Sequence, residues 1–212
     1  MSTLKVIPEE KPDVNKVQTC SLLDKSAMSR KVFTEEECKR IIEMGRTWEQ
    51  VDAEIQTKNP EAESVKNEDY RNCKMYAPPV DKQESWLWIG EKISVAIYNF
   101  NAHEGWKFNL VGMAERPMMM EYEGGQGKYD WHIDLGPSKM ASTRKLGFTL
   151  FLNDDYEGGE FQIKSGRENY IPSEQETGNI LFFPTYLLHR VTFVTKGTRS
   201  VIVGWVHGNS FV

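Results

Sequence analysis

The sequence has no long apolar run and very few cysteines. None of its 212 residues lies in an apolar stretch long enough to cross a bilayer, so no membrane association is expected. The amino-terminal residues 1–12 lack the apolar core of a signal peptide, which favours an intracellular, cytoplasmic location. The three cysteines, Cys20, Cys38 and Cys73, are odd in number and widely spaced. Their spacing argues against a disulfide framework and for a reducing compartment.

Basic charge is also scarce. The chain has 26 Lys and Arg residues against 31 Asp and Glu residues, which gives a net charge of −5. Because a phosphate backbone is bound through an excess of basic side chains, no nucleic-acid partner is expected. With 39% hydrophobic and 27% charged residues, the composition is typical of a globular protein, and the length fits one domain with a sizeable core. These numbers leave the oligomeric state open.

Only four histidines are present, and two of them form a pattern with an aspartate and an arginine. His132 and Asp134 are two positions apart, so on a β-strand both side chains would project from the same face. His189 follows the apolar run 178–184 and begins another β-rich run, from which it could reach the same ion. Two histidines and one carboxylate leave positions open around the metal, which is typical of non-haem Fe(II) oxygenases. Arg199 carries a planar guanidinium suited to the carboxylate of an acidic co-substrate.

Three ordered segments around these residues resemble one enzyme family. Residues 122–134 (YEGGQGKYDWHID) resemble the metal-site segment of prolyl 4-hydroxylase-like 2-oxoglutarate and Fe(II)-dependent oxygenases. Residues 150–160 (LFLNDDYEGGE) resemble the next segment of that family, and residues 189–199 (HRVTFVTKGTR) resemble its third-ligand segment. The resemblance is closest to the bacterial and phage branch called PKHD-type hydroxylases, and it covers residues 116–207.

The resemblance implies a set of site residues and a reaction. The expected Fe(II) ligands are His132, Asp134 and His189, and the expected 2-oxoglutarate ligands are Arg199, Tyr122 and Thr149. No catalytic residue is expected beyond the metal ligands. The implied reaction uses O2, converts 2-oxoglutarate to succinate and CO2, and hydroxylates an unactivated C–H bond, with ascorbate as a candidate reductant. The implied substrate is a prolyl or other residue in a protein or peptide.

Other functions stay open at this point. The substrate could be a free amino acid or another small molecule. A non-enzymatic cupin-like metal-binding or sensor module would keep the triad but would not need Arg199, and neither would a cupin-type isomerase or dioxygenase. A nucleic-acid demethylase is disfavoured because Trp205 stands where that class has a second arginine, and a halogenase is disfavoured because Asp134 is present. His103 and His207 are interpreted as structural histidines.

The patterning predicts a mainly β (α+β) protein. Thr34 and Glu37 form a capping-box pattern for a helix beginning near Phe33, and a second helix is predicted over 84–101. The polar residues 51–70 are expected to form a mobile surface loop. Strand candidates follow from residue 109 onward: Met118–Tyr122, Leu146–Leu152, Gly159–Ile163, Asn169–Ile171, Asn179–Phe183, His189–Val194 and Arg199–Val206.

Regularly spaced strands with Gly-rich turns indicate a sandwich or jelly roll. The resemblance implies the double-stranded β-helix (jelly roll, cupin-like), with N-terminal helices bracing one sheet. We expect residues 1–32 to be an irregular lead-in and residues 33–212 to form a single oxygenase domain. Within that domain, residues 33–108 are expected to be the helical part and residues 109–212 the jelly-roll core.

Overall fold

The structure is a computed structural model that describes residues 28–55, 65–104, 106–165, 168–170 and 175–209. Most of the expected lead-in, residues 1–27, lies outside the described residues, as does the centre of the expected loop, residues 56–64.

Two α-helices lie before the β-rich part of the chain, as predicted. Helix α1 spans Glu35–Gly45 and helix α2 spans Gln83–Asn99. The capping box is formed, because Thr34 Oγ1 accepts from the Glu37 N–H at 3.2 Å and the Glu37 carboxylate accepts from the Thr34 N–H at 2.8 Å. Helix α2 continues into a short π-helical turn, Phe100–Glu104.

The remaining elements of the described residues are a short 3-10 helix, Ala141–Thr143, and a set of β-strands. In chain order they are β1 (Met28–Lys31), β2 (Glu49–Val51), β3 (Glu54–Ile55), β4 (Val65–Lys66), β5 (Arg71–Asn72), β6 (Lys74–Ala77), β7 (Leu110–Gly112), β8 (Met118–Glu123), β9 (Lys128–His132), β10 (Arg144–Phe151), β11 (Glu157–Gly158), β12 (Phe161–Ser165), β13 (Glu168–Tyr170), β14 (Asn179–Pro184), β15 (His189–Val191), β16 (Val194–Lys196) and β17 (Thr198–Gly208). Each predicted strand candidate overlaps one of these elements. The candidate His189–Val194 divides into β15 and β16, and Ile171 lies outside the described residues.

Two antiparallel sheets dominate the fold. The major sheet has the order β1-β14-β10-β17-β8-β6-β2, with β7 paired to β17. The minor sheet has the order β13-β12-β15-β9-β5. Two further strand pairs, β11-β16 and β3-β4, lie outside these sheets. All pairings between neighbouring strands are antiparallel.

Side-chain alternation on the major sheet separates two hydrophobic layers. On β10, Leu146, Phe148 and Leu150 pack in one buried cluster with residues of α1 and α2. The other face of this sheet contributes Leu181 and Phe183 of β14 to a second cluster, together with residues of the minor sheet. Because successive residues of a strand point to opposite faces, one strand supplies both layers. Side chains of the second face therefore point toward the space between the sheets.

The helices cover the outer face of the major sheet. Ile41 of α1 and Ile93 of α2 are fully buried in that layer, and Lys92 Nζ lies 2.7 Å from Glu37 Oε1, which joins the two helices. The predicted mainly β jelly roll with helices bracing one sheet is confirmed. In the part of the chain that the structure describes, no helix is both long and apolar enough to span a membrane.

The expected helical part, residues 33–108, also contains strands. β2 and β6 extend the major sheet, and β5 forms one edge of the minor sheet. The described ends of the expected loop 51–70 pair with each other as β3 and β4. These strands have two to four residues each, and periodicity is a weak signal at that length.

Candidate metal centre and co-substrate pocket

Two neighbouring strands of the minor sheet and the loop after β9 bring His132, His189 and Asp134 to one point. His132 is the last residue of β9, His189 is the first of β15, and the two residues are register partners. Their Nε2 atoms lie 3.7 Å and 3.5 Å from the two carboxylate oxygens of Asp134. One ligand atom from each residue falls within 4.8 Å of the others, a spacing that fits a single ion with bonds of about 2.0–2.2 Å.

A β-bulge in β9 sets the orientation of His132. His189 pairs with His132 while Val191 pairs with Tyr129, so β9 has one residue more than β15 over this interval. Tyr129 and His132 therefore point to the same side, and their rings stack with centroids 3.5 Å apart and an interplanar angle of 17°. The bulge residue Asp130 also binds the ring, because its carbonyl oxygen lies 2.7 Å from His132 Nδ1.

His189 is held in a similar way. Its Nδ1 lies 2.9 Å from the carbonyl oxygen of Leu187, and its ring contacts Phe161 and Phe183 at centroid distances of 5.2 Å and 4.6 Å. A neutral imidazole that donates from Nδ1 to a carbonyl leaves the Nε2 lone pair for a metal. Both histidines of the triad therefore direct their Nε2 atoms toward the Asp134 carboxylate.

The prediction that Asp134 lies on the same β-strand as His132 is wrong. β9 ends at His132, so Asp134 follows the strand and does not alternate along it. Its carboxylate still reaches both imidazoles, because the chain turns after Ile133 and the Asp134 N–H donates to the Thr185 carbonyl at 3.0 Å. The carboxylate ligand of the candidate centre thus lies in a loop.

The electrostatics of the triad suit a cation. Burial, and to a smaller extent the neighbouring His189, lower the pKa of His132 to about 3, so the ring is neutral at neutral pH. Burial opposes ionisation of Asp134, but His189 and His132 outweigh it and hold the pKa of the carboxyl below its usual value. A neutral His132 imidazole and an ionised Asp134 carboxylate are forms that bind a divalent metal without releasing a proton.

Arg199 points into the same cavity from the major sheet. It lies on β17, is 1% exposed, and its Cζ atom is 5.3 Å from the ring centroid of Tyr122. Its Nε and Nη2 are buried and have no hydrogen-bond partner among the described residues. Such donors are costly unless a ligand pairs with them. The cavity, about 840 Å³, is lined by the triad and by Arg199, so an acidic ligand could reach both the cation site and the guanidinium.

Comparisons with known proteins agree with this geometry. Residues 117–207 match the family model described as the 2OG-Fe(II) oxygenase superfamily. The carboxy-terminal part of the chain is therefore similar to 2OG-Fe(II) oxygenases. All three triad residues and Arg199 fall within the matched range.

A curated relative is similar over more than half of this chain. A PKHD-type hydroxylase from Synechococcus sp. (strain CC9311) is 40% identical over 121 residues, which are 56% of this chain and 52% of that protein. The chain thus spans about half the length of the curated relatives it matches. The predicted resemblance to PKHD-type hydroxylases is confirmed.

Two solved structures share the fold. A prolyl hydroxylase from Trichoplax adhaerens, in complex with a hypoxia inducible factor oxygen degradation domain peptide fragment, has a TM-score of 0.68 at 17% identity, covering 92% of this chain and 86% of that one. A prolyl-4-hydroxylase from Pseudomonas putida has a TM-score of 0.62 at 16% identity, covering 87% and 93%.

Tyr122 and Thr149 line the same cavity as Arg199. Tyr122 on β8 is the register partner of Arg199, and Thr149 on β10 is the partner of Val203 on the same β17 strand. Both side chains are buried and line the cavity. The Tyr122 hydroxyl lies 3.7 Å from Met120 Sδ, and burial raises its pKa, so it stays protonated. Their contact with 2-oxoglutarate stays a prediction.

Several residues of the cavity wall were not expected from the sequence. The wall includes Arg71, Tyr129, Arg144, Phe161, Phe183 and Trp205. Tyr129 precedes His132 by three positions, and only the bulge turns it inward. Arg71 belongs to β5, a two-residue strand too short for a periodic signal. Trp131 does not belong to this wall, because its ring lies beneath the Arg190 guanidinium, 4.6 Å from Cζ to the ring centroid.

Of the two histidines outside the triad, the structure describes the side chain of His207 but not that of His103. The side chain of His103 lies outside the described residues. His207 is buried on β17, and its Nδ1 lies 2.9 Å from Thr143 Oγ1. This contact agrees with a structural interpretation of His207.

Proposed function

We propose that this chain is a 2-oxoglutarate- and Fe(II)-dependent dioxygenase that hydroxylates an unactivated C–H bond. The observation that carries the proposal is the combination of an open His132, Asp134 and His189 triad with the buried, unpaired nitrogens of Arg199 in one cavity. A metal-binding module without this reaction would give no reason to bury a guanidinium with unused donors.

Each residue of the site has a separate task in this proposal. The triad binds Fe(II) through two imidazole nitrogens and one carboxylate and leaves the remaining coordination positions to co-substrate and O2. Arg199 binds the distal carboxylate of 2-oxoglutarate by charge-assisted hydrogen bonds, with Tyr122 and Thr149 as further donors. When bound, iron and 2-oxoglutarate supply the oxidising power for hydroxylation, with succinate and CO2 as co-products.

The chain itself contributes orientation and the exclusion of water. Phe161 and Phe183 pack against His189 and form an apolar wall beside the metal site. His189 and Arg199 are buried and His132 and Asp134 are largely covered, which limits competing water at both ends of the co-substrate. Residues 33–212 would serve as one catalytic domain.

The proposed substrate is a prolyl or other residue of a protein or peptide. Ile133 and Leu188 line the cavity while remaining 50% and 37% exposed, so they offer an apolar rim to an incoming chain. The prolyl hydroxylases that share the fold, and the peptide bound to the one from Trichoplax adhaerens, support this class. A free amino acid is the alternative, and it would leave the rim unused. A reducing cytoplasm, expected from the cysteines, would keep iron ferrous.

Succinate formation from 2-oxoglutarate tests the reaction. The assay uses protein reconstituted anaerobically with Fe(II), then exposed to O2 with and without a peptide pool from a cell extract. We expect turnover in the wild type, loss in Asp134→Ala, and no change in Asp81→Ala, which removes an exposed carboxylate near helix α2. Tight iron binding without binding or consumption of 2-oxoglutarate would instead favour the cupin-like module.

A further inference from the structure

A ring of three hydrogen bonds holds the loop that carries Asp134. The Asp134 N–H donates to the Thr185 carbonyl at 3.0 Å, and Thr185 Oγ1 donates to the Arg144 carbonyl at 2.8 Å. The ring closes because Arg144 Nη1 donates to the Asp134 carbonyl at 3.3 Å. Both backbone polar groups of Asp134 are thus bound to residues at the ends of β10 and β14. The Leu135 N–H also donates to the Thr185 carbonyl, at 3.1 Å, but only this ring binds the backbone of Asp134 itself among the described residues.

The Arg144 side chain is itself fixed from two other directions. Its Nε and Nη2 bind the two carboxylate oxygens of Glu115 at 2.7 Å and 2.5 Å, a bidentate pair. Its Cζ atom lies 3.6 Å from the ring centroid of Trp205, which covers the guanidinium. The paired side chains are only 17% and 21% exposed. All three guanidinium nitrogens are therefore in use, and the group has little freedom to move.

We propose that Arg144, held by Glu115, is a positioning residue that keeps the Asp134 carboxylate in the geometry needed to bind the metal. The inference rests on the proposed function, since it concerns the carboxylate of the candidate iron site. Its physical basis is that a ligand on a loop has to be ordered when the metal binds, which weakens affinity, unless the loop is ordered beforehand. The pair stabilises the ligand-ready conformation in the free protein.

A purely structural role for the pair makes a different prediction. An ordinary part-buried ion pair affects unfolding but not the affinity of the folded protein for a metal. The ion pair between Lys92 and Glu37 is a suitable comparison, because it is also part-buried and joins the two helices on the outer face of the major sheet. Glu37→Gln retains the capping hydrogen bond and removes the charge, so it should lower stability without touching the site.

The test measures Co(II) affinity and thermal unfolding of metal-free protein. Glu115→Gln removes the anchoring charge, and Arg144→Lys retains a positive charge but loses the planar fork. We expect both variants to bind Co(II) about ten- to a hundredfold more weakly than the wild type, the range found for supporting residues around metal sites, with an altered Co(II) absorption spectrum. Glu37→Gln should bind Co(II) within twofold of the wild type.

The outcomes separate this inference from the proposed function. If Glu115→Gln and Arg144→Lys fold and bind Co(II) within twofold of the wild type, the positioning role is refuted, whatever their melting temperatures. If Glu115→Gln does not fold, Arg144→Lys alone decides the question, because it retains the charge and most of the packing. If the wild type binds no more Co(II) than His132→Ala, it is the proposed metal site that fails.

Discussion

Replacing Arg199 by methionine should have opposite effects on stability and on co-substrate binding. The buried Nε and Nη2 of Arg199 have no partner among the described residues, and an unpaired buried donor costs about 1–3 kcal/mol. The guanidinium recovers part of this cost from the rings of Tyr122 and Phe151, at 5.3 Å and 5.4 Å from Cζ, because cation–π contacts contribute about 0.5–2 kcal/mol. Methionine fills similar space without charge or donors.

The difference between these terms gives the expected size of the effect. Without ligand, Arg199→Met should match the wild type or be more stable by up to about 2 kcal/mol, which raises the melting temperature by up to roughly 8 °C for a chain of this size. When 2-oxoglutarate is bound, the wild type should be the more stable of the two proteins. Loss of a buried charge pair costs about 3–5 kcal/mol, so the dissociation constant should rise about a hundredfold or more.

Thermal unfolding with and without 2-oxoglutarate, in the presence of Mn(II) to prevent turnover, measures both effects in one assay. At a concentration a hundred times the wild-type dissociation constant, 2-oxoglutarate should stabilise the wild type by about 2.7 kcal/mol and Arg199→Met by far less. Arg190→Met is the matched control, since Arg190 lies over Trp131 and bonds Gln162 without lining the cavity. A less stable Arg199→Met protein that still binds 2-oxoglutarate within threefold of the wild type would refute the reasoning.

Three further predictions concern packing, a thiol and a helix cap. A β-carbon at Gly147 would lie 2.6 Å from Phe183 Cζ and 3.1 Å from Asp134 Oδ2. Gly147→Ala should therefore lower the free energy of unfolding in urea by about 1–3 kcal/mol and also weaken Co(II) binding. An unchanged free energy of unfolding together with unchanged Co(II) affinity would contradict the packing. Burial raises the pKa of Cys38 to about 11, so its thiol should react slowly at pH 8. Mass-spectrometric mapping should show that its alkylation is about a hundredfold slower in folded than in urea-unfolded protein, and equal rates would contradict its burial. Thr34→Ala removes the helix cap and should lower the stability by about 1 kcal/mol, with Thr34→Ser as a control that retains the hydroxyl; an equal loss in both would exclude capping as the cause.

Local patterns were sufficient to predict most of the framework. The capping-box pair Thr34 and Glu37 located the start of α1 to within two residues, because that signal depends on near neighbours only. The strand Arg199–Val206 was predicted inside β17, where β-branched residues alternate between two buried layers. Both elements have enough residues for periodicity to exceed chance. The short strands β2 and β5 have too few residues for a periodic pattern to exceed chance, and their pairing depends on partners far away in the chain.

The candidate site was partly predictable for a similar reason. His132, Asp134, His189 and Arg199 were found because their types and spacing form a recognisable pattern. The side chains that support them were not found, because Arg144 reaches Asp134 only through a turn and a hydrogen-bonded ring. Such contacts arise from tertiary geometry and leave no periodic signal in the sequence.

The division of the cavity between the two sheets bears on how such a site can change. Both imidazoles belong to the minor sheet, whereas the side chains of Tyr122, Thr149 and Arg199 belong to neighbouring strands of the major sheet. Under the proposed function, substitutions on those three strands would alter the length or charge of the acid that is accepted without moving either histidine. Protein engineering or evolution could therefore change the co-substrate while the metal ligands are conserved.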